Sequence, residues 1–156
     1  MSDTKTLVDL LEDQRICMFT TTGDDGTLRS IPMARQEVEP TAELWFITAR
    51  DTEHTRDVQA RPDVQLTFSG SSAWVALNGR AEVVDDLEKL KELWSTFAEA
   101  WLPEGPAGPD SVLLKVDVTK AEYWDTPGSK LATAVSLVKS KVTGEPYKSD
   151  HGVVEP

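Results

Sequence analysis

The sequence predicts a mainly β, α+β fold, built as a small antiparallel β-barrel with flanking helices. About six apolar, β-branched runs follow one another at short spacing, and two or three segments with helical periodicity lie among them. No βαβ alternation with a glycine-rich phosphate loop is present in the sequence, which disfavours a parallel nucleotide-binding sheet. At 156 residues, the chain is expected to form one domain with a sizeable core.

The N-terminal part predicts a short helix and then a β-hairpin. Leu7, Leu10 and Leu11 share one helical face. The runs ICMFTTT and TLRSIPMARQEVE flank the turn Gly-Asp-Asp-Gly, which is typical of a hairpin. Pro32 in the second run indicates an edge position or a bulge, because proline cannot donate a hydrogen bond to a ladder.

The middle of the chain predicts three more strands and a helix. ELWFIT is the third strand, and a helix capped by Asp51 or Thr52 runs through EHTRDVQA until Pro62 stops it. DVQLTFS predicts the fourth strand, with alternate apolar residues on one face. AWVALNGRAEVV predicts the fifth, in which Gly79 indicates a kink or a bulge.

The C-terminal part predicts one long helix, a sixth strand and a tail. DDLEKLKELWSTFAEAWL predicts a single helix, and PEGPAGP a loop before the strand SVLLKVDVTKAEYWD. LATAVSLVKSKVTG fits a helix or a strand, and we favour a helix. We assign residues 1–144 to the barrel domain and residues 145–156 to a polar, frayed tail. The apolar stripe of the long helix contains Leu87, Leu90, Leu93, Trp94, Phe97 and Trp101.

Charge and composition exclude several classes of function. The net charge of −11 disfavours nonspecific binding to nucleic acid or to an anionic membrane. Cys17 lies in an apolar run and is expected to be a small buried hydrophobe, and His54 and His151 are too far apart to predict a zinc site. With no signal peptide and no apolar run of about 20 residues, we expect a soluble, cytoplasmic protein.

The turn after the third strand has two interpretations. Thr48 and Thr52 offer hydroxyls, Arg50, His54 and Arg56 offer cations, and the following helix offers unpaired N–H groups, so the turn suits a phosphate. Alternatively, Thr52 is an ordinary N-cap and the arginines are solvated, because nearby carboxylates almost cancel their charge. The residues alone favour this second interpretation.

The order of several motifs resembles that of a known family. These motifs are SIPMA, LWFIT followed by DTEHTRDVQARPDVQLTFS, WVALNGRAEVVDD, LWSTFAEAWLPEG and LLKVDVTKAEYWDTPGSK. From about Leu7 to Gly144, the chain resembles the pyridoxamine 5'-phosphate oxidase-like, FMN-binding split-barrel superfamily, and more closely its general stress protein branch.

The resemblance implies a six-stranded split barrel that forms a homodimer with two FMN sites along the interface. Residues of the second strand would line the flavin ring, residues of the third would run beside the ring and ribityl chain, and the helix start would face the phosphate. A tryptophan at the end of the last strand would reach the flavin of the partner subunit. In order, these implied FMN-binding residues are Arg29, Ser30, Ile31, Pro32, Met33, Phe46, Ile47, Thr48, Thr52, His54 and Trp124.

The chain also departs from the family pattern. Ile31 stands where the family commonly has arginine, and His54 where it commonly has lysine; Arg29 shares a strand face with Ile31 and would be the substitute cation. The segment after Trp124 lacks the Arg- and His-containing pattern of true pyridoxamine phosphate oxidases, so that reaction is not expected. Two functions remain open: an FMN-dependent oxidoreductase, in which the flavin does the chemistry, or a non-catalytic binding or storage protein for flavin, deazaflavin or haem. Trp94 and Trp101 are expected to be packing residues.

Overall fold

The structure is a computed structural model that describes residues 8–12, 14–38, 43–70, 73–125 and 150–154. It begins with helical backbone at residues 8–11. The strands that follow are β1 (Ile16–Thr22), β2 (Leu28–Val38), β3 (Glu43–Ala49), β4 (Asp63–Ser69), β5 (Ala73–Val84), β6 (Ser111–Asp125) and β7 (Asp150–Val154). The helices are α1 (Glu53–Ala60), between β3 and β4, and α2 (Leu87–Leu93) and α3 (Thr96–Trp101), between β5 and β6.

The strands form a closed antiparallel barrel. Their order is β3-β2-β1-β4-β5-β6-β7, and an additional pairing of β3 with β6 joins the two ends of a six-stranded sheet. The first half of β6 pairs with β3, from Ala49↔Ser111 to Glu43↔Asp117. The second half of β6 pairs on the same side with β7. The predicted mainly β, six-stranded split-barrel fold is therefore confirmed.

The barrel wall is open between β2 and β3. These strands pair at Arg35↔Phe46 and Val38↔Leu44, with a register shift between the two pairs. The earlier part of β2, which contains Pro32, pairs with β1 alone. The edge position predicted from Pro32 is confirmed, and the separation of the two strands leaves a gap in the wall.

The barrel interior holds the main core. Phe19 and Phe46 meet there edge to face, with ring centroids 5.2 Å apart. Cys17 is only 2% exposed, and burial raises the pKa of its thiol to about 12, so it is a buried hydrophobe as predicted. Outside the barrel wall, a second cluster packs α2 against β3 and β6 and contains Trp45, Leu90, Leu93 and Leu113.

Gly79 marks an irregularity between β5 and β6. The register between these strands shifts between Asn78 and Gly79, so the predicted bulge is confirmed. A Cβ atom at Gly79 would lie 2.7 Å from the backbone oxygen of Asp117. Glycine therefore allows the close approach of the two backbones at the bulge.

The single helix predicted for residues 85–102 is wrong, because the chain forms two short helices there. Trp94 has extended backbone angles, φ −61° and ψ 136°, and ends α2. The Ser95 hydroxyl then caps α3 by accepting a hydrogen bond from the Ala98 N–H at 3.3 Å. The apolar stripe is also divided: Leu90 and Leu93 are buried, whereas Leu87 and Trp101 are exposed.

Strand β7 is not predicted from the sequence. Residues 150–154, assigned to a frayed tail, extend the sheet by pairing with residues 121–125 of β6. The segment DHGVV is short and has no clear alternation, so its extended structure depends on the partner strand. The predicted helix LATAVSLVKSKVTG lies outside the described residues. Among the helices of the described ranges, none has the length and apolar content needed to cross a bilayer.

Candidate functional site

A cavity of about 420 Å³ lies at the opening between β2 and β3. Strands β1, β2 and β3, the start of α1 and the end of α3 all contribute to its wall. The lining is mostly apolar, with polar groups from four side chains. The lining residues are Ile16, Ile31, Pro32, Met33, Ala34, Gln36, Ile47, Thr48, Ala49, Thr52, His54, Ala98, Trp101 and Leu102.

The polar end of the cavity is built where β3 ends and α1 begins. The Nε2 atom of His54 lies 2.7 Å from the Thr48 hydroxyl and 3.3 Å from the Thr52 hydroxyl. Thr52 is also the N-cap of α1, since its oxygen accepts from the Thr55 N–H at 3.3 Å. The Thr55 hydroxyl in turn donates to the backbone oxygen of Ala49 at 2.9 Å. These bonds hold α1 against the end of β3 and group two hydroxyls and an imidazole at one place.

Burial controls the charge of His54. Desolvation lowers the pKa of the imidazole from its ordinary value of 6.5, and the nearby Asp57 carboxylate opposes this only in part. The side chain is therefore mostly neutral near neutral pH. A neutral imidazole has one donor and one acceptor nitrogen, so this end of the cavity offers hydrogen bonds rather than a fixed positive charge.

The arginines near the opening in sequence are engaged elsewhere. Arg50 makes a two-pronged ion pair with Asp85, and Arg56 pairs with Asp51 at 2.6 Å. Neither arginine lines the cavity. For these two residues, the structure therefore supports the interpretation in which they are not phosphate ligands.

Arg29 is also held away from the cavity. Its guanidinium lies 3.2 Å from the buried carboxylate of Asp57 and 3.3 Å from Glu53. Asp57 further accepts a hydrogen bond from the Thr21 hydroxyl at 2.8 Å. Arg29 therefore connects the β1–β2 hairpin to α1, and it does not replace the family's arginine at the position of Ile31. Within the described part of the chain, no Arg or Lys lines the cavity.

The predicted site residues fall into two groups. The structure places one group on the wall of the cavity: Ile31, Pro32, Met33, Ile47, Thr48, Thr52 and His54. Arg29, Ser30, Phe46 and Trp124 do not line it. Ser30 shares a hydrogen bond of 2.7 Å with Thr20, and the Phe46 ring lies in the core. Trp124 lies at the far end of β6, opposite Trp74.

Other wall residues were not predicted, and Gln36 and Trp101 are the main ones. Gln36 is a buried amide at the irregular end of the β2–β3 pairing, and its Nε2 atom lies 3.5 Å from the backbone oxygen of Ala34. Its polarity inside a strand that enters the core was the available signal. Trp101 was assigned to packing because it shares the helical period of Leu90 and Trp94.

The described wall residues supply binding groups and few reactive ones. In that wall, His54 is the titratable side chain, and the thiol of Cys17 lies in the core instead. No cluster of three or more His, Cys, Asp or Glu suited to a metal ion occurs within the described ranges. The arrangement thus suits a ligand that has a flat apolar part and a polar end that accepts hydrogen bonds.

A sequence profile of the family described as pyridoxamine 5'-phosphate oxidase like matches residues 2–148. The chain belongs to the pyridoxamine 5'-phosphate oxidase-like family. A solved structure from Jannaschia sp., described as a general stress protein 26, is 32% identical, with a TM-score of 0.81 and coverage of 98% of both chains. The general stress protein 26 of Bacillus anthracis is 21% identical, with a TM-score of 0.71 and coverage of 79% of this chain and 94% of that one.

Two further relatives extend the comparison. A general stress FMN/FAD binding protein from Xanthomonas citri is 24% identical, with a TM-score of 0.67 and coverage of 81% of this chain and 90% of that one. Protein bli-3 of Neurospora crassa is 22% identical over 140 residues, which are 83% of this chain and 67% of that protein. The Xanthomonas citri structure shows that the same fold recurs at low sequence identity.

Proposed function

We propose that this protein is a general stress protein that binds a flavin, FMN in particular, in the cavity between β2 and β3. The proposal rests on the agreement between the segments that the family resemblance implies and the segments that line the cavity. The family resemblance nominates strand β2, the end of β3 and the start of α1, and the cavity is lined by those three segments. The Xanthomonas citri relative described as FMN/FAD binding supports a flavin as the ligand.

The chemistry of the wall fits a flavin. Ile16, Ile31, Pro32 and Ile47 offer apolar surface to an isoalloxazine ring. A phosphate would meet the Thr48 hydroxyl, the His54 imidazole and the positive end of α1, whereas the Thr52 hydroxyl already donates to the Ala49 oxygen at 3.1 Å. These groups bind by hydrogen bonds and partial charge. FMN therefore fits this site, and its phosphate is held less tightly than a family member with lysine in place of His54 would hold it.

We further propose that the protein is a flavin-dependent oxidoreductase. A bound flavin supplies one- and two-electron redox chemistry, and the protein's part is to bind it, orient it and exclude water from one of its faces. The wall residues described above are suited to those tasks. The competing function is a binding or storage protein for flavin, deazaflavin or haem. Reduction of the bound flavin by NADH or NADPH supports the oxidoreductase, whereas loading without reduction by either donor supports storage.

We also propose a cytoplasmic homodimer that completes the site. Exposed apolar side chains on the outer surface of the sheet form what we call the apolar outer face, made of Ile16, Met18, Pro32, Trp74 and Val153. Ile16 and Pro32 also line the cavity, so a second copy seated on this face would reach the cavity mouth. Trp124 pairs with Trp74 on β5, and we propose that it contacts the flavin of the partner subunit.

The proposal predicts the cofactor of the purified protein. We expect a visible absorption spectrum of flavin, and FMN in the mass spectrum of the released ligand. We also expect titrations to rank FMN above riboflavin, which lacks the phosphate, and above FAD, whose adenylate extends beyond the donors. A protein that purifies without flavin and binds none of the three would refute the flavin site.

Two substitutions test the two parts of the site. Thr48→Val removes the hydroxyl that bonds to His54 and should weaken FMN binding about tenfold, the effect of one hydrogen bond to a charged group. The matched control is Thr119→Val, which removes an exposed hydroxyl of β6 that bonds to the Asn78 oxygen and does not line the cavity. Trp124→Ala should weaken flavin binding while the dimer persists. If Trp124→Ala binds as the natural protein does, Trp124 has a packing role.

A further inference from the structure

The break between α2 and α3 gives Trp94 and Trp101 different surroundings. Trp94 packs against the second cluster, next to α2. Trp101, one α3 length further along, lines the cavity together with Ala98 and Leu102. A continuous helix would have placed both indoles on one stripe, because they are seven residues apart in the sequence. The cap at Ser95 therefore redirects the chain toward the cavity.

Trp101 lies at the mouth of the cavity and is 74% exposed, the most exposed of the large hydrophobic side chains in the described ranges. Beneath it, Ala98 is buried, so α3 is seated firmly on the protein and only its last turn exposes the indole. The indole thus presents flat aromatic surface at the edge of an apolar cavity, the position from which it can contact a planar ligand bound there.

The segment that carries Trp101 is anchored at both ends. Arg50, at the end of β3, pairs with Asp85 before α2 and donates from Nε to the backbone oxygen of Pro109 at 3.2 Å, after α3. The Arg50 N–H donates to the Asp110 oxygen at 2.6 Å. The Ser111 hydroxyl donates to the Gly105 oxygen at 3.0 Å, which ties the loop after α3 to the start of β6. The indole is therefore held on a fixed support.

We propose that Trp101 is a ligand contact that stacks on the ring system of the bound flavin and selects for planar aromatic ligands. This inference rests on the proposed flavin site and adds to it a ligand contact from α3, outside the barrel strands. Stacking on the indole covers apolar surface of both partners and requires no charge on the ligand. The contribution of Trp101 should therefore be the same for flavins with and without a phosphate.

The test compares Trp101→Ala and Trp101→Phe with the natural protein. We expect Trp101→Ala to raise the Kd about tenfold for both FMN and lumiflavin, which has the ring but no ribityl phosphate, and Trp101→Phe to raise it less than about threefold. Because the indole is exposed, the thermal unfolding midpoint should stay within about 2 °C. The matched control is Leu87→Ala. Leu87 is another exposed apolar residue between β5 and β6, and its replacement should change neither Kd.

A spectroscopic readout separates stacking from a purely structural role. An indole stacked on a flavin quenches flavin emission, so flavin bound to Trp101→Phe should be brighter than flavin bound to the natural protein. Equal Kd values for lumiflavin in Trp101→Ala and the natural protein would overturn the inference and leave the flavin site standing. Loss of the dimer in sedimentation of Trp101→Ala would also overturn it, by making Trp101 an interface residue. If the natural protein binds neither ligand, the flavin site itself fails.

Discussion

His54 is a partly buried histidine at the polar end of the cavity, where its charge affects the binding of a phosphate. The resemblance puts a cation at this position, whereas burial lowers the pKa of the imidazole and leaves it mostly neutral. Its Nε2 atom is shared between Thr48 and Thr52. His54 therefore belongs to a hydrogen-bonded group, and its protonation state is expected to change when an anionic ligand binds.

FMN binding should accordingly depend on pH. The ligand-free protein favours neutral His54, and a bound phosphate raises the pKa of the imidazole because an opposite charge favours the protonated form. Binding then takes up a proton, so affinity rises as the pH falls through the pKa of the complex and levels off below the pKa of the free protein. In fluorescence titrations we expect tighter FMN binding near pH 6 than near pH 8.

The variants and ligands supply the controls for this pH dependence. His54→Lys should tighten FMN binding and flatten its pH dependence, and His54→Ala should weaken binding and flatten it. The second ionisation of the phosphate, near pH 6, remains in His54→Ala and can be subtracted. Riboflavin should not show the dependence. A pH response of FMN binding that is identical in His54→Ala would assign it to the phosphate alone.

Asp57 has a structural role that reaches the same site. Its buried carboxylate accepts from the Thr21 hydroxyl at 2.8 Å and from Arg29 Nε at 3.2 Å, and so joins the hairpin to α1. We expect Asp57→Ala to lower the free energy of unfolding by about 1–3 kcal/mol, because it leaves the buried Thr21 hydroxyl without its acceptor. Chemical denaturation measures this change. Asp63→Ala, whose carboxylate is exposed beside Arg80, is the control and should be nearly neutral; equal losses in the two variants would contradict the role of Asp57.

Among the elements, Arg50 holds the connection between β5 and β6, which contains α2 and α3, in place. Its side chain bonds to the Asp85 carboxylate before α2 and to the Pro109 backbone oxygen after α3. Its backbone N–H bonds to the Asp110 backbone oxygen. Arg50→Ala should leave the barrel folded, because the ion pair is exposed and contributes little to global stability. It should nevertheless loosen the loop at residues 102–110 and weaken flavin binding through α3.

Limited proteolysis and hydrogen exchange of that loop measure the effect of Arg50→Ala. Arg56→Ala is the matched control. The Arg56–Asp51 ion pair is also exposed, but it lies at the start of α1 and does not involve the loop. We expect faster exchange at residues 102–110 in Arg50→Ala only. The same protection in both variants would mean that Ser111 and the turn hydrogen bonds suffice to hold the loop.

The strands were more predictable from the sequence than the helical excursion. Period-two alternation, the Gly-Asp-Asp-Gly turn and Gly79 are local signals, and they predicted the six barrel strands. The division of α2 from α3 was not predictable from periodicity, because Leu90, Trp94 and Trp101 fit one helical stripe and the cap at Ser95 competes with it. β7 was missed because its stabilising partner is β6 rather than its own sequence pattern.

The candidate site was predicted as far as it follows strand order. The wall residues of β2, β3 and α1 follow from the resemblance, because those segments keep their places in the split barrel. The partner of Arg29 could not be predicted, since a shared strand face does not show that the guanidinium is held by Asp57. The place of Trp101 at the cavity mouth could not be predicted either, since it depends on the helix break. Side-chain partners and chain direction are tertiary properties that a motif does not encode.

At the scale of the whole molecule, the apolar outer face predicts a dimer. Met18 lies near its centre, paired with Pro32 on one side and Thr67 on the other, and its side chain is exposed. We expect the natural protein to sediment as a dimer at micromolar concentration and Met18→Asp as a monomer with an unchanged far-ultraviolet spectrum, because a carboxylate would be desolvated in the interface. Lys91→Asp, on the exposed surface of α2, should remain dimeric. A monomeric natural protein would remove the shared site.

The proline at the opening also has a consequence for solubility. The Arg35 N–H donates to the Arg15 oxygen, so by strand alternation the backbone groups of Ser30 and Pro32 face the gap instead of β1. A strand edge next to apolar side chains is a template for adding a strand from another chain, and Pro32 has no backbone N–H to donate to such a strand. We expect Pro32→Ala to fold and yet aggregate faster in light scattering, with bound flavin slowing it by filling the gap. A proline at the edge of the ligand opening thus also limits the addition of a foreign strand at that edge.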